Sequence, residues 1–77
     1  MLYPQYRKYK NNKSYFKISS TTSFEEVQVF NNTYTLHLFE AKILPDRNFI
    51  HDLTFQYHNY CDVISENDYL EIKKKVR

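Results

Sequence analysis

The stretch that decides the fold is residues 24–43, FEEVQVFNNTYTLHLFEAKI, in which two runs of β-branched and aromatic residues flank the pair Asn31-Asn32. Such runs favour strands, and a tight turn between two strands needs backbone in the left-handed region. Asparagine adopts that region more readily than most residues, so it takes the place of glycine, which this chain lacks. The pattern predicts a β-hairpin with strands over residues 24–30 and 33–43.

The apolar positions of the second predicted strand change phase partway along it. Even-numbered residues are apolar at first and odd-numbered residues afterwards: Tyr34, Leu36 and Leu38, then Phe39, Ala41 and Ile43. Successive strand residues point to opposite faces of a sheet, so a change of phase inside one run indicates a bulge or sharp bend near Leu38-Phe39. The change of phase therefore predicts a strongly curved sheet.

A second asparagine pair, Asn11-Asn12, predicts another hairpin nearer the start of the chain. It separates residues 5–10 from residues 14–19, and both flanks again carry aromatic residues. Alternation in the second flank places Phe16 and Ile18 on one face of the strand, opposite to the lysine at position 17.

The region after the central hairpin has weaker signals. Leu44-Pro45-Asp46-Arg47 predicts a type I turn with proline and aspartate at its centre. Residues 48–52 fit either a short helical turn or the beginning of a strand. Alternating apolar residues then predict a strand over residues 53–57, and residues 61–64 a short final strand.

A C-terminal helix over residues 66–76 is supported by several local features. Ser65 and Asp68 have the spacing of a capping box, and acidic residues at a helix start interact favourably with the helix dipole. Tyr69, Ile72 and Val76 form one apolar stripe at helical spacing.

Together these elements predict an α+β fold. Its sheet would have four to five antiparallel strands and strong curvature, with an SH3-like or other small open barrel as one form, and one C-terminal helix would close it. The chain has 77 residues, which is room for a single domain over residues 1–77 with a thin core.

The composition excludes several classes of function. Without glycine the chain cannot build the phosphate-cradling loops of P-loop or dinucleotide-binding proteins, because those loops need residues without a Cβ atom. Cys61 is the only cysteine, so no disulfide can form within the chain. No apolar run has the length of a signal peptide or a membrane span, so we expect a soluble cytoplasmic protein without membrane partners.

Charge is distributed unevenly along the chain. Residues 1–23 contain five basic residues and no acidic one, residues 24–68 contain eight acids against two bases, and residues 69–77 contain four bases and one acid. The basic N-terminal hairpin is interleaved with tyrosines, a pattern typical of platforms that bind single-stranded nucleic acid or an acidic partner. The candidate binding residues are Tyr6, Arg7, Lys8, Tyr9, Lys10, Tyr15 and Lys17.

The same residues also have a structural interpretation. Lysines on an edge hairpin prevent aggregation, and tyrosines can half-cover a thin core. Glu25 and Glu26 on the next strand can neutralise the hairpin by cross-strand pairing. Asn, Lys, Tyr, Phe and Ile, which share AT-rich codons, make up 34 of the 77 residues, so codon usage alone can supply both lysine and tyrosine.

Metal binding and catalysis find little support in the sequence. His58 and Cys61 have the spacing of half a zinc site, and His51 or Asp52 would be the residue to add a ligand, but there is no second half. Nothing near Cys61 lowers its thiol pKa, and adjacent strand residues such as Glu25 and Glu26 point to opposite faces. We therefore expect no cofactor, no metal and no enzymatic activity.

The predicted turn at residues 44–47 is a second candidate binding feature. It places Arg47 beside Phe49, and arginine next to an aromatic residue on a rigid turn is a good interface anchor. In the structural interpretation, Asp46 hydrogen-bonds the backbone and Phe49 fills the end of the predicted barrel.

The function best supported by the sequence is that of a non-catalytic interaction module that binds a protein, including a second copy of itself. Small sheets with aromatic strands have unpaired edges that add strands from partners. The alternative is single-stranded nucleic-acid binding through the N-terminal hairpin.

Overall fold

The structure, a computed structural model, describes residues 2–77 as a five-stranded antiparallel sheet with two helices. The elements in chain order are β1 Gln5–Tyr9, β2 Ser14–Ile18, β3 Ser23–Phe30, β4 Thr33–Glu40, α1 Leu44–Phe55, β5 Cys61–Val63 and α2 Glu66–Lys73. The strands lie in the order β4-β3-β2-β1-β5, so four strands form a meander and β5 returns beside β1. This confirms the predicted α+β class, the antiparallel sheet and the C-terminal helix.

The two asparagine pairs form the turns predicted from them. Asn31 and Asn32 both have positive φ, at 50° and 64°, which is the backbone of a two-residue turn that matches the twist of a hairpin. In the first hairpin Asn12 has a φ of 60°, and the side chain of Asn11 accepts a hydrogen bond from the Lys13 amide at 2.9 Å. Asparagine thus supplies the left-handed backbone at both turns.

The strand β4 is regular, so the predicted bulge near Leu38-Phe39 is wrong. β3 and β4 pair residue for residue from Ser23–Glu40 to Phe30–Thr33. The sheet is open, with β4 and β5 at its two edges, and the predicted strong curvature is wrong as well. An SH3-like or other small barrel is not confirmed.

The sheet is covered by a different helix on each face. On one face, Phe16, Ile18 and Phe24 form the main core with Ile50 and Leu53 of α1. The strand residues that alternate with these point to the other face of the sheet, where α2 packs. There Val27 of β3 and Tyr69 of α2 are completely buried.

These two covered faces explain the change of phase in β4. Near the start of the strand, Tyr34 and Leu36 are half-buried on the α2 face. Near its end, Phe39 points to the α1 face and stacks on Phe24, with ring centroids 4.8 Å apart. A straight strand therefore has apolar residues first on one face and then on the other.

The helix α1 replaces the turn predicted at residues 44–47 and the strand predicted at residues 53–57, so both predictions are wrong; residues 48–52 are helical. Its buried residues are Ile50, Leu53 and Thr54, which have the spacing of one helix face. The alternation of apolar residues over 53–57 followed a strand period by coincidence, because Phe55 is largely exposed on the helix.

The start of α1 uses the two residues that suggested a turn. Pro45 lies in the first turn of the helix, where backbone amides have no acceptor within the helix. The missing amide hydrogen of proline therefore costs no hydrogen bond there. The carboxylate of Asp46 accepts hydrogen bonds from the backbone amides of Lys42 and Ile43, at 3.1 and 3.4 Å. Turn-forming residues and helix-starting residues overlap in type, which is why the sequence allowed both interpretations.

The helix α2 begins as predicted. The Ser65 hydroxyl accepts from the Asp68 amide at 3.0 Å, and the Asp68 carboxylate accepts from the Ser65 amide at 3.4 Å. The helix ends at Lys73 rather than at residue 76, and Val76 instead forms a parallel bridge with Tyr34 of β4. Neither helix of residues 2–77 has the length and apolar character needed to cross a bilayer.

Candidate functional site

The outer edge of β4 is the longer of the two edges of the sheet, with eight residues against three in β5. All eight residues of β4 pair with β3 on the inner side. On the outer side, the only strand-type contact within residues 2–77 is the bridge between Tyr34 and Val76. The backbone groups along residues 36–40 that face outward are therefore left to solvent.

Two apolar side chains, one on each face of the sheet, lie at this part of the edge. Leu38 is 77% exposed and Phe39 is 37% exposed, at the end of the strand farthest from Val76. Phe39 is anchored by its stacking on Phe24, whereas the side chain of Leu38, on the opposite face, is largely uncovered. We call the outward-facing backbone of residues 36–40, together with these two side chains, the β4 edge site.

The β4 edge site lacks the features that usually protect an edge strand. Charged side chains, proline and bulges discourage a free edge from pairing with another chain. β4 contains no lysine and no proline, pairs regularly with β3, and carries its only charge at Glu40.

The opposite edge of the sheet is protected in several of these ways. β5 has only three residues, and its central residue Asp62 is charged. The ammonium groups of Lys8 and Lys10 lie 3.5 and 2.8 Å from the Asp62 carboxylate. The two edges therefore differ, and β4 is the one suited to pairing with a partner.

The candidate anchor residues Arg47 and Phe49 lie on α1 rather than on a turn. The ring of Phe49 is 5.7 Å from that of Phe24 and 6.5 Å from that of Phe16, measured between centroids, and the side chain remains 38% exposed. Phe49 thus covers the core and extends the aromatic group that holds Phe39. Arg47 is exposed and lines a separate pocket that is described below.

Arg7, a predicted nucleic-acid contact, is buried instead. Its guanidinium donates hydrogen bonds to the backbone carbonyls of Leu53, Thr54 and Tyr6 at 3.2, 3.2 and 2.9 Å. Its Cζ atom also lies 4.0 Å from the centroid of the Tyr57 ring. In this position the cation stabilises the end of α1 and is not presented to a ligand.

The predicted lysines are engaged with the rest of the chain. Besides their pairing with Asp62, Lys8 donates to the side chain of Asn12 at 2.6 Å. The hydrogen bond and charge of Lys10, with a smaller contribution from Lys8, hold the pKa of Asp62 below its ordinary value. Lys17 lies opposite Glu25 in the pairing of β2 with β3. The positive charge of Lys17 helps to lower the pKa of the Glu25 carboxylate.

The predicted tyrosines do not form one surface. Tyr6 and Tyr15 lie on the α2 face of the sheet, while Tyr9 lies on the α1 face. The Tyr6 hydroxyl donates to Glu66 at 3.0 Å, and its ring packs against Tyr69. Burial raises the pKa of Tyr9 and of Tyr15, as expected for rings that cover the sheet. The seven candidate residues are therefore divided between two faces.

The environment of Cys61 disfavours thiol chemistry. The residue is 2% exposed, and burial raises its thiol pKa to about 11 despite the opposing charge of Arg7. Nearby His58 stacks on Tyr57 with ring centroids 4.3 Å apart. Across residues 2–77, histidine, cysteine and carboxylate side chains form no group of three that could hold a metal ion.

A partly buried cluster beneath α2 has no signature in the local sequence. The Tyr69 hydroxyl and the Lys73 ammonium each donate to the same oxygen of Glu25, both at 2.9 Å. The partners are 44 and 48 residues apart in the chain, so no local pattern links them. The cluster joins α2 to the middle of the sheet and contains no exposed reactive group.

Comparisons of the chain with protein-family models, with curated proteins and with solved structures find no match. The function of the β4 edge site therefore has to be inferred from the residues and the geometry of the chain itself.

Proposed function

We propose that this chain is a non-catalytic interaction module that pairs with a second copy of itself through the β4 edge site. The observation that carries the proposal is a straight, unprotected strand edge with an apolar side chain, Leu38, that is 77% exposed. Addition of a strand at such an edge satisfies the outward-facing backbone groups and covers the apolar side chains.

A two-fold axis near Leu38 gives the pairing that fits the edge best. In an antiparallel pair centred there, Leu38 packs against Leu38 of the second copy, and His37 faces Phe39. Glu40 then faces Leu36 rather than another carboxylate, so no like charges are brought together. The bridge between Tyr34 and Val76 lies outside the paired segment and is left undisturbed.

The size of the site sets the expected strength of the dimer. A five-residue edge buries less area than the roughly 1,200–2,000 Å² of a standard interface. We therefore expect a reversible dimer that dissociates in the micromolar range or above, and whose fraction rises with protein concentration.

The decisive experiment is sedimentation equilibrium over a series from micromolar to millimolar protein. We expect the wild type to dimerise, and Leu38→Lys to remain monomeric because two lysines would meet on the axis. Val63→Lys is the matched control, since Val63 is 60% exposed on the opposite edge of the sheet, and it should dimerise like the wild type. A wild type that stays monomeric at millimolar concentration, or a Leu38→Lys variant that dimerises normally, would overturn the proposal.

Amide hydrogen exchange locates the interface independently. On dimerisation, protection should increase at amides within residues 36–40 and not in β5. Increased protection confined to another part of the chain would show that a different surface is used.

Single-stranded nucleic-acid binding through the N-terminal hairpin remains the alternative proposal, and it has weaker support. Arg7 is buried, and a nucleic acid would have to displace Asp62 from Lys8 and Lys10. Retention of a labelled oligonucleotide at low salt, with loss of retention in Lys8→Glu and Lys10→Glu variants, would favour this alternative.

A further inference from the structure

A second site is formed by a pocket on the helix α1, built from residues that do not belong to β4. It has a volume of about 260 Å³ and lies between α1, the loop that joins β2 to β3, and the segment before β1. Its walls include Tyr3, Thr22, Arg47 and His51. This volume is just below the roughly 300–1,000 Å³ of pockets for drug-sized ligands, so it suits a molecule of fragment size.

The floor of the pocket is apolar. Ile50 and Thr54 line it from α1 and are almost completely buried. The hydroxyl of Thr54 donates to the Ile50 carbonyl at 2.8 Å, so it is satisfied within the helix. Phe55, which is partly exposed, forms one end of the pocket. The lining is mainly apolar, and the aromatic surface open to a ligand comes from the partly exposed rings of Tyr3 and Phe55 above this floor.

The rim of the pocket carries a cation with no anion of its own. Arg47 and His51 are four residues apart and so lie on the same side of α1. Among residues 2–77, Arg47 forms no ion pair with a carboxylate, whereas Nδ1 of His51 lies 3.9 Å from the Asp52 carboxylate. Arg47 therefore has its planar donor fork available, and it is the group that would recognise a ligand's charge.

We propose that this pocket binds a small carboxylate with an apolar body. The carboxylate pairs with the guanidinium of Arg47 at the rim, and the aryl or alkyl body packs against Tyr3 and Phe55 above the floor of the pocket. Charge complementarity selects the carboxylate, and the apolar floor selects the body, so neither a neutral molecule nor a fully polar anion satisfies both parts. The proposal does not depend on dimerisation through the β4 edge site.

The test is a titration of the full chain with 3-phenylpropionate, followed by ¹⁵N–¹H NMR, with the neutral 3-phenylpropionamide as the matched ligand. We expect saturable shifts at the amides of Thr21, Thr22, Arg47 and His51 with the carboxylate. The amide should bind at least tenfold more weakly, because it lacks the charge that pairs with Arg47.

Variants assign the effect to one side chain. Arg47→Ala should weaken binding of 3-phenylpropionate by roughly tenfold or more, since a charge-assisted pair is lost. Arg77→Ala is the control with the same change of net charge, and it should bind like the wild type. Because Arg47 is exposed, both variants should retain the wild-type spectrum outside the pocket. Shifts that do not saturate, equal binding of the two ligands, or unchanged affinity in Arg47→Ala would each refute the proposal.

Discussion

Within residues 2–77 the buried cation Arg7 has no carboxylate partner, and replacing it with methionine tests how much its hydrogen bonds stabilise the fold. The guanidinium is 3% exposed and donates to the carbonyls of Leu53 and Thr54 in the last turn of α1. Those carbonyls have no amide partner within the helix, and no basic residue lies in the last turn of α1 itself. Arg7 therefore supplies from β1 both the hydrogen-bond donors and the positive charge that the end of the helix requires.

The expected cost of Arg7→Met follows from the groups that it leaves behind. Methionine has a similar length but no donor, so two helix carbonyls stay buried and unpaired, at about 1–3 kcal/mol each. The contact with the Tyr57 ring, lost as well, contributes about 0.5–2 kcal/mol. Removing a buried charge recovers a desolvation penalty of several kcal/mol, which offsets part of the loss. We expect a net destabilisation of about 3 kcal/mol, a large share of the roughly 4–12 kcal/mol typical of a chain this long.

Urea unfolding followed by far-UV circular dichroism measures this difference. With a slope of about 1–3 kcal/mol per molar urea, the midpoint of Arg7→Met should fall by roughly 1–3 M. Arg7→Lys keeps the charge but not the planar fork, so its midpoint should lie between those of Arg7→Met and the wild type. Lys13→Met is the control, because Lys13 is exposed, and its midpoint should stay close to that of the wild type. An Arg7→Met variant as stable as the wild type would refute the role given to the guanidinium.

The remaining predictions concern Glu25 and Cys61. Burial acts to raise the pKa of Glu25, but hydrogen bonds from Lys73 and Tyr69 together with the charge of Lys73 outweigh it and hold the pKa below its ordinary value. A lowered folded-state pKa gives stability that is complete above the unfolded value and is lost as the pH falls through the folded value. Urea midpoints should therefore decline in acid for the wild type and decline less for Glu25→Gln; equal declines would contradict this. The Cys61 thiol, with a pKa of about 11 and almost no exposure, should resist a thiol-specific reagent in the native state and react fully in urea. Rapid native-state labelling would show that the core opens at this point.

The parts of the fold that the sequence predicted correctly depend on neighbouring residues. The turns at Asn11-Asn12 and Asn31-Asn32 need only residues that tolerate positive φ between two strand-forming runs. The start of α2 depends on Ser65 and Asp68, which are three residues apart. Interactions over so short a distance are determined before the tertiary structure forms, so composition and spacing are sufficient to identify them.

The features that the sequence did not reveal depend on contacts between distant residues. Whether residues 53–55 are helical is decided by packing of α1 on the sheet, because the local pattern over residues 53–57 fits a strand equally well. Arg7 was assigned to a binding surface because nothing in its neighbourhood shows that it reaches Leu53 and Thr54, 46 and 47 residues away. The change of apolar phase at Leu38-Phe39 predicts a bend, whereas the exposure of Leu38 follows from the position of β4 at an edge, which only the strand order determines.

The prediction of a bend was based on Leu38 and Phe39, and these two residues have different roles in the β4 edge site. Phe39 packs on Phe24 and, with the regular pairing to β3, holds this end of β4 in place. Leu38 contributes little to the folded monomer, because most of its side chain is in solvent. A partner strand therefore meets an edge that is already ordered, which lowers the entropy lost on pairing, and an apolar side chain that gains burial only on pairing. A substitution at Leu38 should therefore weaken dimerisation and leave the stability of the monomer unchanged, because the Leu38 side chain becomes buried only on pairing.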